Sequence, residues 1–143
     1  MPQYLKLLLS HFVVLQYKFH TIHTNARWPE FLWFHEFMWD LYIMFWDDNI
    51  DWIKERALIL WMDTPYSLAE LLSLCKIPEL KEVPSIPECW KIVYDDLVFI
   101  EQVLQKWIDI SWEENDLVTQ NTLIDRADAV WKNRRKLSFT FWL

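Results

Sequence analysis

The chain predicts an all-α fold: four long helices in a bundle, with one short helix in the connection between the second and third. Three observations carry this. No glycine occurs among 143 residues, where average usage would give about ten. Apolar residues recur at helical spacing through four long segments. Prolines and short polar clusters fall between those segments and hardly within them.

The first stripe is Leu5, Leu8, Leu9, Phe12, Leu15, Phe19 and Ile22. Asn25-Ala26-Arg27-Trp28-Pro29 interrupts it, and Pro29 suits the first turn of a second helix. That helix is expected to run to about Leu60, with Phe31, Phe34, Met38, Tyr42, Phe45, Ile53 and Leu60 inward, and Asp63-Thr64-Pro65 to end it. Ser67-Leu68-Ala69-Glu70 reads as a capping box, so a short helix is expected over Ser67 to Leu74. Pro78, Pro84 and Pro87 mark a long irregular link. Ser85-Ile86-Pro87-Glu88 begins the third long helix, whose stripe is Val93, Leu97, Ile100, Leu104 and Ile108. After the polar break from Ser111 to Asp116, the last helix is expected to turn Leu117, Leu123, Ile124, Ala127, Val130 and Leu137 inward. Residues 1–143 read as a single domain, and the long middle link permits a crossover connection.

Composition excludes several functions. Without glycine there is no dinucleotide-binding fingerprint and no phosphate-binding P-loop. The net charge of -7 disfavours nucleic-acid binding, which needs basic residues to neutralise phosphates, and suits attraction of cations. Cys75 and Cys89 are not in a CxxC pair; a disulfide between them stays open, but two Cys in a chain of this size fit a reducing, cytoplasmic setting better, with both expected as buried or free thiols. The most apolar stretch, Leu7 to Leu15, is too short to span a bilayer and lacks the flanks of a signal peptide.

The candidate chemistry sits in four residues. His23 and His35 are twelve apart, and Asp51 and Glu55 follow at i, i+4 spacing. Imidazole and carboxylate together form the ligand set of a non-haem iron site. A di-iron centre inside one bundle would use Glu-x-x-His motifs, and the chain has none.

Residues 15–31, Leu-Gln-Tyr-Lys-Phe-His20-Thr-Ile-His23-Thr-Asn25-Ala-Arg27-Trp28-Pro29-Glu-Phe31, followed by Phe34-His35-Glu36, resemble the signature of the Dps-type mini-ferritins of the ferritin-like superfamily. Glu55-Arg56-Ala57 before a helix stop, and Asp116-Leu117-Val118-Thr119 before the last helix, resemble the same family, and the likeness covers nearly the whole chain. The resemblance implies a ferritin-like bundle assembled as a dodecameric homo-oligomer. It implies that Fe(II) is oxidised, usually by hydrogen peroxide, and stored as ferric mineral, which protects against oxidative stress. It implies an iron centre shared across a twofold interface, with His23 and His35 from one chain and Asp51 and Glu55 from its partner. The region of Glu114, Asp116, Asp125 and Asp128 would line threefold pores through which iron enters. Helix-dipole compensation accounts equally for Glu114 and Asp116. The basic group Lys132, Arg134, Arg135 and Lys136 reads as favourable charge at a helix end. Only Met1 to Gln3 precede the first helix, so DNA binding through a Lys-rich tail is not expected.

Two positions depart from the family pattern. The acid expected four residues after His35 is Trp39. Asp40 is the adjacent carboxylate, turned by about 100° around a helix. His35 and Asp51 are also sixteen apart, one more than the pattern, so an extra residue lies near Asp47-Asp48-Asn49. A π-bulge would absorb it. Without such a device Ile50 and Lys54 would stand at the ligand positions, and the chain would be a non-catalytic relative, a shell or interaction protein. His20 is expected beside the centre or at the surface rather than in the centre, His11 has no assigned role, and the alternative reading of Asp51 and Glu55 is a solvated helix face with Arg56 as an ordinary ion-pair partner.

The eleven tryptophans are expected to serve packing and subunit contacts rather than electron transfer. Trp28 and Trp61 stand where the family tends to have Gly, and Trp61 is expected near a helix C′ position, where φ > 0 is common and a bulky residue is costly. Trp107 and Trp112 are expected in similar places. Two readings stay open: authentic Trp, or a stop codon that some genetic codes read as Gly.

Overall fold

The computed structural model describes residues 2–25 and 31–141, with the backbone alone at 2, 31, 47, 48 and 141. Six helices follow in order: α1 (Pro2–Asn25), α2 (Phe31–Met44), α3 (Asp47–Ile59), α4 (Leu68–Leu74), α5 (Ile86–Glu113) and α6 (Leu117–Phe141). α2 and α3 are two halves of one bundle rod, so the frame is four long rods and one short helix. α5 lies along α6, and α1 lies along α2 and α3 while also touching α4 and α5. The interruption expected at Ala26 to Pro29, with Trp28, lies outside the described residues.

The core is the set that helical periodicity selects. Leu5, Leu8, Leu9, Phe12, Leu15, Phe19 and Ile22 are buried on α1, and Val93, Leu97, Ile100 and Leu104 on α5, with Ile108 half-buried. Phe34, Met38, Tyr42, Phe45 and Ile53 are buried too, and Leu60 is half-buried. α6 differs from expectation. Leu123, Val130 and Leu137 are buried at heptad spacing, but Leu117 is 56% and Ile124 45% exposed. They form a second stripe, and only one of the two can face α5.

The second rod is where expectation and structure part most. It holds no π-bulge; it breaks outright at Phe45 and Trp46. The Phe45 and Trp46 amides bond three residues back, to Tyr42 and Ile43, and Trp46 turns extended (φ -84, ψ -161) before Asn49 and Ile50 bond to its carbonyl. The Asn49 side-chain amide donates to the Met44 carbonyl across the break. The physical reason lies in the core. Phe45 packs edge-on against Phe12 at 5.1 Å and against Phe19 at 5.7 Å. Ile53 follows eight residues later, which in an unbroken helix puts it about 80° off that face. Breaking the rod lets Phe45, Ile53 and Ala57 all be fully buried.

The caps follow the sequence with one change. The Ser67 hydroxyl accepts from the Glu70 amide at 3.1 Å, but the Glu70 carboxylate reaches the Tyr66 amide rather than that of Ser67. At α5 the Glu88 carboxylate accepts from both the amide and the hydroxyl of Ser85. α3 and α5 end alike. Met62 bonds back to Ala57 and Trp61 to Leu58, while Asp116 bonds to Ser111 and Asn115 to Trp112, which is the paired bonding of a Schellman motif. Trp61 and Asn115 both take φ 57. Trp61 therefore stands at C′ as expected. Trp107 and Trp112 do not: Trp107 is buried within α5, edge-on to Tyr4, and Trp112 lies in its last turn, exposed.

Candidate metal centre

His23 sits in the last turn of α1 and His35 near the start of α2. Their rings stack at 3.7 Å. His23 Nδ1 lies 2.8 Å from the His35 carbonyl oxygen, and His35 Nδ1 lies 3.1 Å from that of His23. A carbonyl can only accept, so each Nδ1 carries the proton and donates it. The lone pair therefore sits on Nε2 in both rings, the tautomer that an outer hydrogen bond selects in metal-binding histidines. Burial is the main cause holding His23 below the ordinary imidazole range. The bond with the His35 backbone opposes it, and the neighbouring His35 and His20 add to the lowering. The ring is thus kept in its neutral, ligating form.

A pocket of about 370 Å³ opens on this pair, lined by His23, His35, Glu36, Trp39 and Asp40. Trp39 and Asp40 share it despite lying about 100° apart on the helix. Glu36 is the residue that sequence reasoning missed; its i, i+4 relation to Asp40 is the signal that could have found it. His23 is also within ring contact of Trp39 at 5.5 Å and Tyr42 at 5.4 Å. His20 does lie beside the centre, against Tyr42 at 4.6 Å.

Asp51 and Glu55 are exposed on α3 and do not line this pocket. Ile53 points into the core, and each acid lies two residues from it, roughly opposite around the helix. Among the described residues, no group of three or more His, Cys, Asp or Glu is placed to hold a metal within one chain.

Arg56 does not pair with Asp51 or Glu55. It reaches α6, 2.6 Å from Asp116 and 2.8 Å from the Thr119 hydroxyl. Asp116 also accepts from the Thr119 amide at 3.1 Å and so caps α6. Burial pushes the Asp116 carboxyl up, but the bonds from Arg56 and Thr119 outweigh it and hold the group below the usual range. Asp116 is thus a structural tie. The basic group near the C-terminus is likewise divided: Lys132 pairs with Asp128, Arg134 with Glu101, and Arg135 lies over the rings of Trp131 and Phe139.

His11, without a role in the sequence reading, staples the middle link. It is buried, accepts from the Lys76 amide at 3.2 Å, and is driven to about 4 by burial, with the charge of Lys76 adding to the lowering. Nearby, Lys18 pairs with Asp96 at 2.6 Å and donates to the Pro78 carbonyl. Cys75 and Cys89 are free thiols, and burial pushes Cys89 up to about 11. No helix among the described residues is long and apolar enough to cross a membrane.

No family model and no curated protein matches the chain. Solved structures do. A Dps protein from Bacillus brevis superposes with a TM-score of 0.90 at 27% identity, covering 97% of this chain and 93% of that one. Antigen TpF1 from Treponema pallidum gives 0.90 at 27% identity over 96% and 88%. Dps from Staphylococcus aureus, at 21% identity, shares the fold with a TM-score of 0.91 over 99% and 94%. Over nearly its full length the chain therefore has the fold of the Dps proteins.

Proposed function

We propose that the protein oxidises Fe(II) with hydrogen peroxide and stores the ferric product inside a homo-oligomeric shell, a dodecamer, in the cytoplasm, as protection against oxidative stress. The observation that carries this reading is the stacked His23–His35 pair, whose mutual backbone bonds put both lone pairs on Nε2. Iron is the substrate. Imidazole nitrogen and carboxylate oxygen suit Fe(II), and carboxylates stabilise Fe(III) by charge. His23, His35 and Asp40 would come from one subunit, with Glu36 at the rim, and Asp51 and Glu55 from a second copy. The exposure of both α3 acids supports this division.

A second reading, a shell that does not oxidise iron, is favoured by Trp39, an indole on the pocket wall where the family pattern has an acid. Ferric-iron formation with peroxide separates the two. The ferroxidase reading expects wild type to exceed His35→Ala and Glu55→Gln. Equal rates in wild type and His35→Ala would establish the non-catalytic shell. DNA binding is disfavoured by the charge of -7, and a gel shift at low salt tests it.

A further inference from the structure

We propose that the middle link over residues 75–83 is a strap latched to the bundle by His11 and released when His11 takes up a proton. Its operation does not depend on iron. His11 and Lys18 are seven residues apart on α1, two turns and about 10 Å along one face. Each grips the link by its backbone. The Lys76 amide donates to His11 Nε2 at 3.2 Å, and the Lys18 ammonium donates to the Pro78 carbonyl at 2.7 Å. Between the two grips Ile77 is buried in the core. Beyond them the link, from Glu79 to Val83, walls a cavity of about 570 Å³, with Val13, Val14 and Tyr17 of α1 and Leu72 of α4 also lining it.

A proton can undo the first grip. His11 Nε2 accepts from the Lys76 amide, so Nδ1 carries the hydrogen of the neutral ring, and among the described residues Nδ1 is buried with no hydrogen-bond partner. A second proton would go to Nε2, where it would face the Lys76 N–H with no lone pair left to accept from it. The charge would also be buried, which is costly without a counter-ion. Among the described residues, the groups around the ring supply none. Lys76 on the link is itself a cation, Phe99 meets the ring edge-on from α5 at 5.3 Å, and Asp96 on α5 is engaged by Lys18 at 2.6 Å. Burial pushes the Cys75 thiol up, which keeps it neutral. Burial, with Lys76 adding, accordingly holds latched His11 at about 4 against an ordinary 6.5. In the released link the imidazole meets water and titrates at its ordinary value. The latched state thus binds fewer protons than the released one. Latching is at full strength above about 6.5 and weakens as pH falls toward about 4. The release equilibrium grows about tenfold per pH unit across that window, roughly 300-fold in all.

The test follows hydrogen exchange of the full protein by mass spectrometry, as protection factors from about pH 7 to about pH 4, the span of the His11 window. Protection of the 75–83 segment should fall by about tenfold per pH unit below about 6.5, while the 93–104 segment of α5 stays level. His11→Gln keeps an acceptor oxygen for the Lys76 amide and does not titrate, so the acid loss should vanish. Lys76→Gln, at an exposed position, takes away the neighbouring cation, so the fall should be smaller and level off at a higher pH. Asp96 also takes up a proton in this window, but it is present in all three proteins, and the differences between them report His11. An acid loss in His11→Gln equal to that of wild type overturns the strap, as does a wild-type link that loses protection only together with α5. If His11→Gln does not fold, Lys76→Gln decides, and a profile unshifted from wild type overturns the proposal.

Discussion

His23 and His35 are bound to each other through their backbones: each imidazole Nδ1 donates to the other residue's carbonyl, at 2.8 and 3.1 Å, while the rings stack at 3.7 Å. The pair joins the end of α1 to the start of α2, so the candidate centre is also a fold contact. Each single alanine variant should cost about 1 kcal/mol for its lost bond. Because each substitution removes a donor from the other residue's carbonyl, the double variant should depart from the sum by about 0.5 kcal/mol or more. Urea unfolding of both singles and the double measures this, and strict additivity would show that the two bonds do not act together.

Lys18 and Asp96 form an ion pair inside the bundle, 5% and 7% exposed. Burial pushes the Asp96 carboxyl up to about 6 against the pull of Lys18. Replacing both partners, Lys18→Met with Asp96→Leu, should be near neutral. The folded pKa lies above the unfolded one, so the folded state takes up the proton first. This group's contribution to stability therefore rises as pH falls from about 6 to about 4. Unfolding free energies across that window should lose this component in Asp96→Asn.

Arg56 and Asp116 tie α3 to the start of α6 across sixty residues of sequence. Removing the guanidinium in Arg56→Ala should cost about 1.5–3 kcal/mol, the range for bonds to charged groups. Asp116 has its folded pKa below the ordinary value. Its contribution is present above the unfolded pKa and is lost as pH falls through the lower folded one. Asp116→Asn keeps a helix-capping oxygen and should flatten the acid limb of the stability curve. An acid limb identical to wild type would place the loss elsewhere.

Trp61 holds φ 57 with its side chain 97% exposed. A residue with a Cβ pays about 1–2 kcal/mol for that conformation, and glycine does not. Trp61→Gly should therefore raise stability by about 1 kcal/mol, less where glycine's freedom in the unfolded chain offsets the gain. Calorimetry tests this, and a lower melting temperature would show that Trp61 makes a stabilising contact. Intact mass of protein from its native source separates authentic Trp from Gly at this codon.

How much of this was legible beforehand depends on whether the determining interaction is local. Helical spacing identified the buried stripes of α1 and α5, Ser67 and Ser85 marked helix starts, and the twelve-residue interval marked His23 and His35. These follow from backbone geometry within a few turns. Periodicity could not say that Leu117 and Ile124 face water, because α6 carries two apolar stripes and the packing of α5 chooses between them. The resemblance implies an extra residue before Asp51 and a π-bulge to absorb it; the rod instead breaks at Phe45. That choice belongs to Phe12 and Phe19, which hold Phe45 from another helix. Arg56 likewise found Asp116 instead of its own neighbours. The sequence by itself determined the helices, their caps and the histidine pair, since each is a short-range consequence of residue type. Only the tertiary structure decided which stripe is buried, where the second rod breaks and which charges meet, because those outcomes depend on side chains brought together from distant parts of the chain.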